Sequence, residues 1–171
     1  MSTPRSTRTT IGYYLLILAF FTFTAATGGG LYQLIAENPN WSADLPASLI
    51  AHRAASTISH AGYFFQTMVP VCILSFIAAT ILLRNRPQAA NRWLLLALGG
   101  VLVAEAYTGL YFMPRNFILF LDPIEGVPDE TIRRAASEWL SANYVRLVII
   151  LITWGLFLHA FTIVAAARMR N

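Results

Sequence analysis

The chain has 171 residues, of which 57% are hydrophobic and only 12% are charged. Ordinary soluble domains carry about twice that charged fraction, so the composition excludes a soluble globular domain. The net charge is +4, but no cluster of basic residues interleaved with aromatic residues predicts a nucleic-acid partner. The single cysteine, Cys72, cannot form an internal disulfide and is expected to be a small buried hydrophobic residue.

Four apolar segments are long enough to cross a bilayer core of ~30 Å, which needs roughly 20 helical residues. They lie near residues 11–35, 61–83, 93–113 and 145–167. Segments 36–60 and 114–144 are predicted to lie outside the membrane. The first apolar run is longer than a signal-peptide core, so we expect it to be retained. The sequence therefore predicts one all-α domain over residues 1–171, an antiparallel four-helix membrane bundle.

The distribution of charge predicts how the bundle is oriented. Basic residues without acids occupy both ends and the short link after the second span: Arg5, Arg8, Arg84, Arg86, Arg92, Arg168 and Arg170. The two longer links hold most of the acids: Glu37, Asp44, Asp122, Glu125, Asp129, Glu130 and Glu138. By the positive-inside rule, both termini are expected to be cytoplasmic. We expect an integral protein of a bacterial inner (plasma) membrane.

The links carry their own secondary-structure signals. "ENPNWSADLP" predicts a loop in which Trp41 is an interfacial anchor. "ASLIAHRAASTISH" predicts a short surface helix or an extension of the second span. Pro114 is expected to end or kink the third span. Pro128, followed by Asp129 and Glu130, opens a last helix of about 40 residues whose top third stands outside the membrane.

Glu105 places a carboxylate inside the apolar run "VLVAEAY". A charged side chain at membrane depth usually faces the protein interior and has a partner. At about 100° per residue, Glu105 shares a helix face with Thr108, Phe112 and Asn116. This face becomes more polar toward the outer boundary.

The other spans offer partners near the same level. The last span presents Trp139, Asn143 and Arg146 on one face, and the second presents His60, Tyr63 and Phe64. Three interpretations of Glu105 stay open: a structural ion pair with Arg146, a base or cation-binding group in a pocket open to the outside, or a group on a lipid-facing or subunit-contact surface. The last of these leaves a homo-oligomer open.

The histidines do not form a recognisable metal motif. There is no pair of histidines four residues apart and no His-Glu motif, so the sequence predicts no metal and no cofactor. His60 fits a structural or interfacial role, or that of a ligand or base. His159 lies on another face of the last span and nearer the cytoplasm.

Four motifs in chain order carry a resemblance: "GGGLYQLIAENPNW", "TMVPVCIL", "YFMPRN" and "EWLSANYVRL". Over roughly residues 12–165, the chain resembles the large family of four-span membrane proteins that includes the fungal anthrone oxygenases. Pro114 and Asn116 match the Pro-x-Asn of that family, and Trp139 and Arg146 match its Trp and Arg. Arg115 departs from the pattern, where an apolar residue is expected.

The resemblance implies insertion of oxygen from O2 into a small lipophilic, phenolic or polycyclic substrate without a cofactor. A base such as Glu105 or His60 then takes a proton, and Arg146 with Asn116 or Tyr111 stabilises the developing oxyanion. Aromatic residues are expected to line an apolar slot: Tyr63, Phe64, Tyr107 and Phe112. Thr108, Trp139 and Asn143 complete the predicted substrate-binding set.

Two classes of function remain open at this level. The first is a cofactor-independent oxygenase or related enzyme. The second is a non-catalytic membrane protein, such as a ligand-binding, transport-assisting or assembly subunit, in which the Glu–Arg pair is structural. Direct contact between Glu105 and Arg146 is expected for a structural pair, and an enclosed cavity at Glu105 for an enzyme.

Overall fold

The computed structural model describes residues 6–85 and 87–170, so Arg5 and Arg86, two of the arginines in the orientation argument, lie outside it. The described residues form helices and turns without strands. The helices are α1 (Thr7–Ser42), α2 (Ala47–Ala55), α3 (Ala61–Leu82), α4 (Gln88–Leu121) and α5 (Asp129–Met169). All except α2 are long and apolar enough to cross a membrane. The chain is therefore an all-helical integral membrane protein.

The four long helices pack in a ring. α1 packs mainly on α3 and α4 mainly on α5, while α1 also contacts α5 and α3 contacts α4. The centre of the ring is filled by fully buried apolar side chains from each helix, among them Leu16, Phe76, Leu94 and Phe157. Phe76 stacks on Phe157 at 4.0 Å between ring centres, so α3 and α5 meet directly across the bundle.

A second core lies at one end of the bundle, where the two longer links fold onto α5. Its buried members include Trp41, Leu49, Phe112, Leu119 and Trp139. Trp41 is only 2% exposed; the prediction of an interfacial anchor was wrong, because Phe120 of α4 and Trp139 of α5 pack edge-to-face against its ring. We call this group the outer core.

Two arginines tie the links together around the outer core. Arg53 of α2 donates from Nη2 to the Asp122 carbonyl oxygen at 2.7 Å and from Nη1 to that of Leu119 at 3.3 Å. Arg133 of α5 donates from Nε and Nη2 to the Leu45 carbonyl oxygen at 3.1 and 3.0 Å. These bonds use backbone acceptors that no helix satisfies, and they join segments distant in sequence.

Three wide, π-helical turns lie just before prolines: Gln33–Glu37, Thr108–Phe112 and Phe117–Leu121. The first two let α1 and α4 continue past Pro39 and Pro114, and the third is the last turn of α4. In each, the N–H that closes the wide turn belongs to the residue just before a proline (Pro39, Pro114 or Pro123). A proline ring clashes with the carbonyl four residues earlier in an α-helix. A wide turn moves that carbonyl aside.

Of the two effects expected of Pro114, it does not end the third helix, which continues to Leu121 through a wide turn. The predicted loop after the first span is wrong in part, because Asn38–Ser42 is helical. The last helix behaves as expected: it begins after Pro128, carries Asp129 and Glu130 in its first turn, and has 41 residues.

Candidate functional site

Glu105 lies on the side of α4 that faces other helices. Val101, one turn before Glu105 on the same face of α4, is only 2% exposed, so this face of the helix packs against other helices. Glu105 is half-buried. Within residues 6–85 and 87–170, its carboxylate has no hydrogen bond and no ion pair within 4.0 Å.

Arg146 is held by groups other than Glu105. Its Nη2 donates to Oδ1 of the buried Asn143, one turn earlier on α5, at 2.6 Å. Its guanidinium carbon lies 4.1 Å from the centre of the Phe112 ring and 5.6 Å from that of Trp139. Two aromatic faces and one amide oxygen therefore stabilise the cation. The direct Glu105–Arg146 contact expected of a structural pair is not formed among the described residues.

Phe112 is the centre of an aromatic cluster. It is fully buried, and its ring lies 5.4 Å from Tyr107, 5.7 Å from Tyr111 and 5.5 Å from Trp139. Each contact is close to edge-to-face, the arrangement that ring quadrupoles favour. All four residues were predicted as substrate-binding. In the structure, the other three rings contact Phe112, and the Arg146 guanidinium lies over the Phe112 ring.

Hydrogen bonds between α4 and α5 hold the aromatic cluster in place. Trp139 Nε1 donates to Asn116 Oδ1 at 2.8 Å. Arg115 donates from Nε and Nη2 to Glu138 Oε2 at 2.9 and 2.7 Å. Its guanidinium also lies 3.7 Å from the centre of the Tyr111 ring. Arg115, the departure from the family pattern, thus joins the extended end of α4 to α5.

The predicted residues of α3 have different neighbours. His60 is the N-cap of α3: its Nδ1 accepts from the Gly62 N–H at 3.1 Å, and its ring stacks on Tyr63 at 4.1 Å. Phe64 packs over Gly29 of α1. Within the described residues, the hydrogen bonds and ring contacts of His60, Tyr63 and Phe64 do not involve Glu105, Arg146 or the cluster around Phe112.

Thr108 lies one turn above Glu105, and its Oγ1 donates to the Ala104 carbonyl oxygen at 2.9 Å. Sequence reasoning missed other neighbours of the site. Trp41 contacts Trp139 at 5.7 Å between ring centres, and Phe120 contacts Trp41 at 5.4 Å. No periodicity within one helix could indicate these contacts, because they join different segments of the chain.

Asn38 was also missed. It is buried, and its Oδ1 accepts from Trp41 Nε1 at 3.1 Å. Its Nδ2 has no hydrogen-bond partner among the described residues. The outer core therefore contains an unused amide donor beside its aromatic rings. Among the described residues, no three His, Cys, Asp or Glu side chains are arranged to hold a metal ion.

Fold and site together define a four-span membrane protein with a buried aromatic cluster and a charged pair near one end. A family model described as anthrone oxygenase matches residues 54–156, which is more than half of the chain. The chain belongs to the anthrone oxygenase family. No curated protein and no solved structure matches it.

Proposed function

We propose that this protein oxygenates a small lipophilic substrate, phenolic or polycyclic, with O2 and without a cofactor. One observation carries the proposal: Glu105 lies inside a span, is half-buried on the packed face of α4, and has no hydrogen bond or ion pair among the described residues. An unpaired acid at that depth is costly. A substrate hydroxyl or acidic C–H would give it a partner and a proton to remove.

The reaction balances with O2 as the only co-reactant. Glu105 removes a proton from an acidic CH2 group of the substrate. The resulting carbanion transfers its electrons to O2, and a C–O bond forms to give a peroxide anion, which takes the proton back. The hydroperoxide then loses water as the second C–H proton leaves and the O–O bond breaks. CH2 and O2 become C=O and H2O.

The neighbouring groups suit the charges that develop. Arg146 lies over the ring of Phe112, two turns beyond Glu105 on α4, so it can stabilise the enolate or phenolate oxygen formed when the proton leaves. Tyr107, Tyr111 and Phe112 offer flat apolar surfaces to a fused-ring substrate. Asn116 Oδ1 is already bonded to Trp139, and its Nδ2 donates to Met113 Sδ at 3.8 Å, so the second N–H of the amide is the part available to a substrate.

The test uses the purified full chain in detergent with a lipophilic anthrone, following O2 uptake with an electrode and quinone formation by absorbance. Glu105→Gln is expected to lower turnover by about 100-fold or more, the usual contribution of a general base. Glu125→Gln is the matched control, because it neutralises an exposed carboxylate outside the proposed site, and it should keep turnover. Unchanged turnover in Glu105→Gln would show that the proposal is wrong.

A second candidate, a non-catalytic ligand-binding or assembly protein, is favoured by a different observation. Asn143, Asn116 and Arg115 all have partners within the chain, as expected of groups that serve packing. This function predicts that the wild-type protein binds the anthrone but consumes no O2. The electrode measurement separates the two candidates.

We also propose that the bundle is antiparallel, with both termini in the cytoplasm of a bacterium and the outer core on the opposite side of the inner membrane. The arginine distribution supports this orientation. Cys72, the single cysteine, is 2% exposed and gives little background for thiol labelling. An impermeant maleimide added to whole cells should label Glu125→Cys and spare Arg84→Cys; the reverse pattern would invert the topology.

A further inference from the structure

A recess of about 660 Å³ opens at the end of the bundle far from Glu105. It lies between the first residues of α4 and the last part of α5. Its described lining residues are Asn85, Gln88, Ala89, Asn91, Arg92, Trp93, His159 and Ile163. Gln88 and Glu105 are 17 residues apart on α4, about 25 Å along the helix, so this recess is separate from the proposed oxygenation site.

The polar wall of the recess can donate hydrogen bonds and carries positive charge. Arg92 supplies a guanidinium, His159 an imidazole, and Asn85, Gln88 and Asn91 supply side-chain amides. None of the lining residues in the described part of the chain is acidic. Such a wall favours an anion, because a guanidinium and amide N–H groups together satisfy several oxygens of one group.

Trp93 positions the two strongest of these groups. The Arg92 guanidinium carbon lies 4.9 Å from the Trp93 ring centre. The His159 ring meets the same indole edge-to-face at 4.6 Å. Arg92 and His159 come from different helices, so the indole holds donors from α4 and α5 around one space. Ala89 and Ile163 make another part of the lining apolar.

We propose that this recess binds a phosphate group, carried either by an anionic phospholipid headgroup or by a soluble phosphate monoester. The phosphate oxygens accept from Arg92, His159 and the amides, and the apolar part receives the carbon skeleton next to the phosphate. Basic pockets between membrane helices bind phosphate-bearing headgroups in this way. A zwitterionic choline headgroup fits less well, because its cation would face Arg92.

The test is native mass spectrometry of the purified full chain titrated with phosphatidylglycerol, phosphatidylcholine or glycerol 3-phosphate. Arg92→Gln should weaken binding about tenfold, the usual effect of losing a charge-assisted hydrogen bond. Arg84→Gln is the matched control: Arg84 is exposed in the link between α3 and α4 but does not line the recess. It removes the same charge and should leave binding unchanged.

Each outcome decides a question. Arg92-dependent binding of phosphatidylglycerol identifies a lipid headgroup, and Arg92-dependent binding of glycerol 3-phosphate identifies a soluble ligand. Equal losses in Arg92→Gln and Arg84→Gln, or no binding of any probe, would overturn the proposal. Equal binding of phosphatidylglycerol and phosphatidylcholine would overturn it when glycerol 3-phosphate does not bind. If Arg92→Gln does not fold, Ala89→Phe decides, because it places a phenyl ring in the recess while keeping every charge; it should weaken binding, and unchanged binding would overturn the proposal.

Discussion

The guanidinium of Arg146 rests on the face of Phe112, 4.1 Å from the ring centre, and not on the carboxylate of Glu105. Phe112 is completely buried, so the cation is held where little water can reach it. The ring and the Asn143 amide stabilise the arginine. Glu105 therefore has no ion pair among the residues that the structure describes.

Arg146→Lys is expected to destabilise the protein, although it keeps the charge. An ammonium group cannot stack a planar face on Phe112 while it bonds to Asn143. We expect a loss of about 1–2 kcal/mol in the free energy of unfolding, measured by chemical unfolding in detergent. Arg134→Lys, at an exposed position of the same helix, should change it little. Equal effects would remove the stacking argument.

Two adjacent glycines are expected to respond in opposite ways to alanine. A Cβ at Gly100 would lie 2.9 Å from Cγ2 and 3.1 Å from Cβ of the buried Thr153, whereas at Gly99 no atom lies within 4 Å. Gly100→Ala should therefore lower stability by about 1–3 kcal/mol through overpacking. Gly99→Ala should raise it by up to about 1 kcal/mol, because alanine favours helix. Melting temperatures of the two variants provide the comparison.

The Arg115–Glu138 bridge is expected to couple α4 to α5. Arg115→Met, Glu138→Gln and the double variant form a double-mutant cycle for the melting transition. A coupling of about 0.5–1 kcal/mol is expected for a partly exposed pair with two hydrogen bonds, and it should shrink at high salt. Strictly additive effects would mean that the bridge contributes nothing to stability.

Deletion of Gly109 is expected to damage the outer core more than any substitution there. The deletion removes one of the five residues of the wide Thr108–Phe112 turn. A regular turn in its place would bring a carbonyl back onto the Pro114 ring and turn Asn116 about 100° away from Trp139. We expect a loss of about 3 kcal/mol or more. Gly109→Ala, with no atom within 4 Å of the new Cβ, is the control. A deletion variant as stable as this control would contradict the role of the wide turn.

Part of the charged site follows from helical periodicity. The spacing of Asn143 and Arg146 predicts their shared face, and the hydrogen bond between them agrees with it. The predicted shared face of Glu105, Phe112 and Asn116 assumed a regular α-helix, and the wide turn at Thr108–Phe112 interrupts that periodicity. Periodicity could not predict the role of His60, because a histidine near a helix end can serve as an N-cap as readily as a base. In the structure it is the N-cap, since its ring accepts from the backbone N–H of Gly62.

The outer core could not be predicted, for a physical reason. Trp41 and Trp139 are almost a hundred positions apart in the chain, and their contact depends on how two links fold over the bundle. A tryptophan near a membrane boundary has the same local sequence whether it anchors in lipid headgroups or fills a core. Prolines posed a similar problem, because the rule that ends a helix at Pro114 does not foresee a widened turn before it.

The widened turns also affect how relatives of this protein should be compared. A gap-free alignment through α4 would pair residues beyond Phe112 with the wrong neighbours in any relative that lacks the Thr108–Phe112 turn. The gap belongs inside the helix, within residues 108–112. With the gap placed there, Arg115 and Asn116 are compared with their true counterparts.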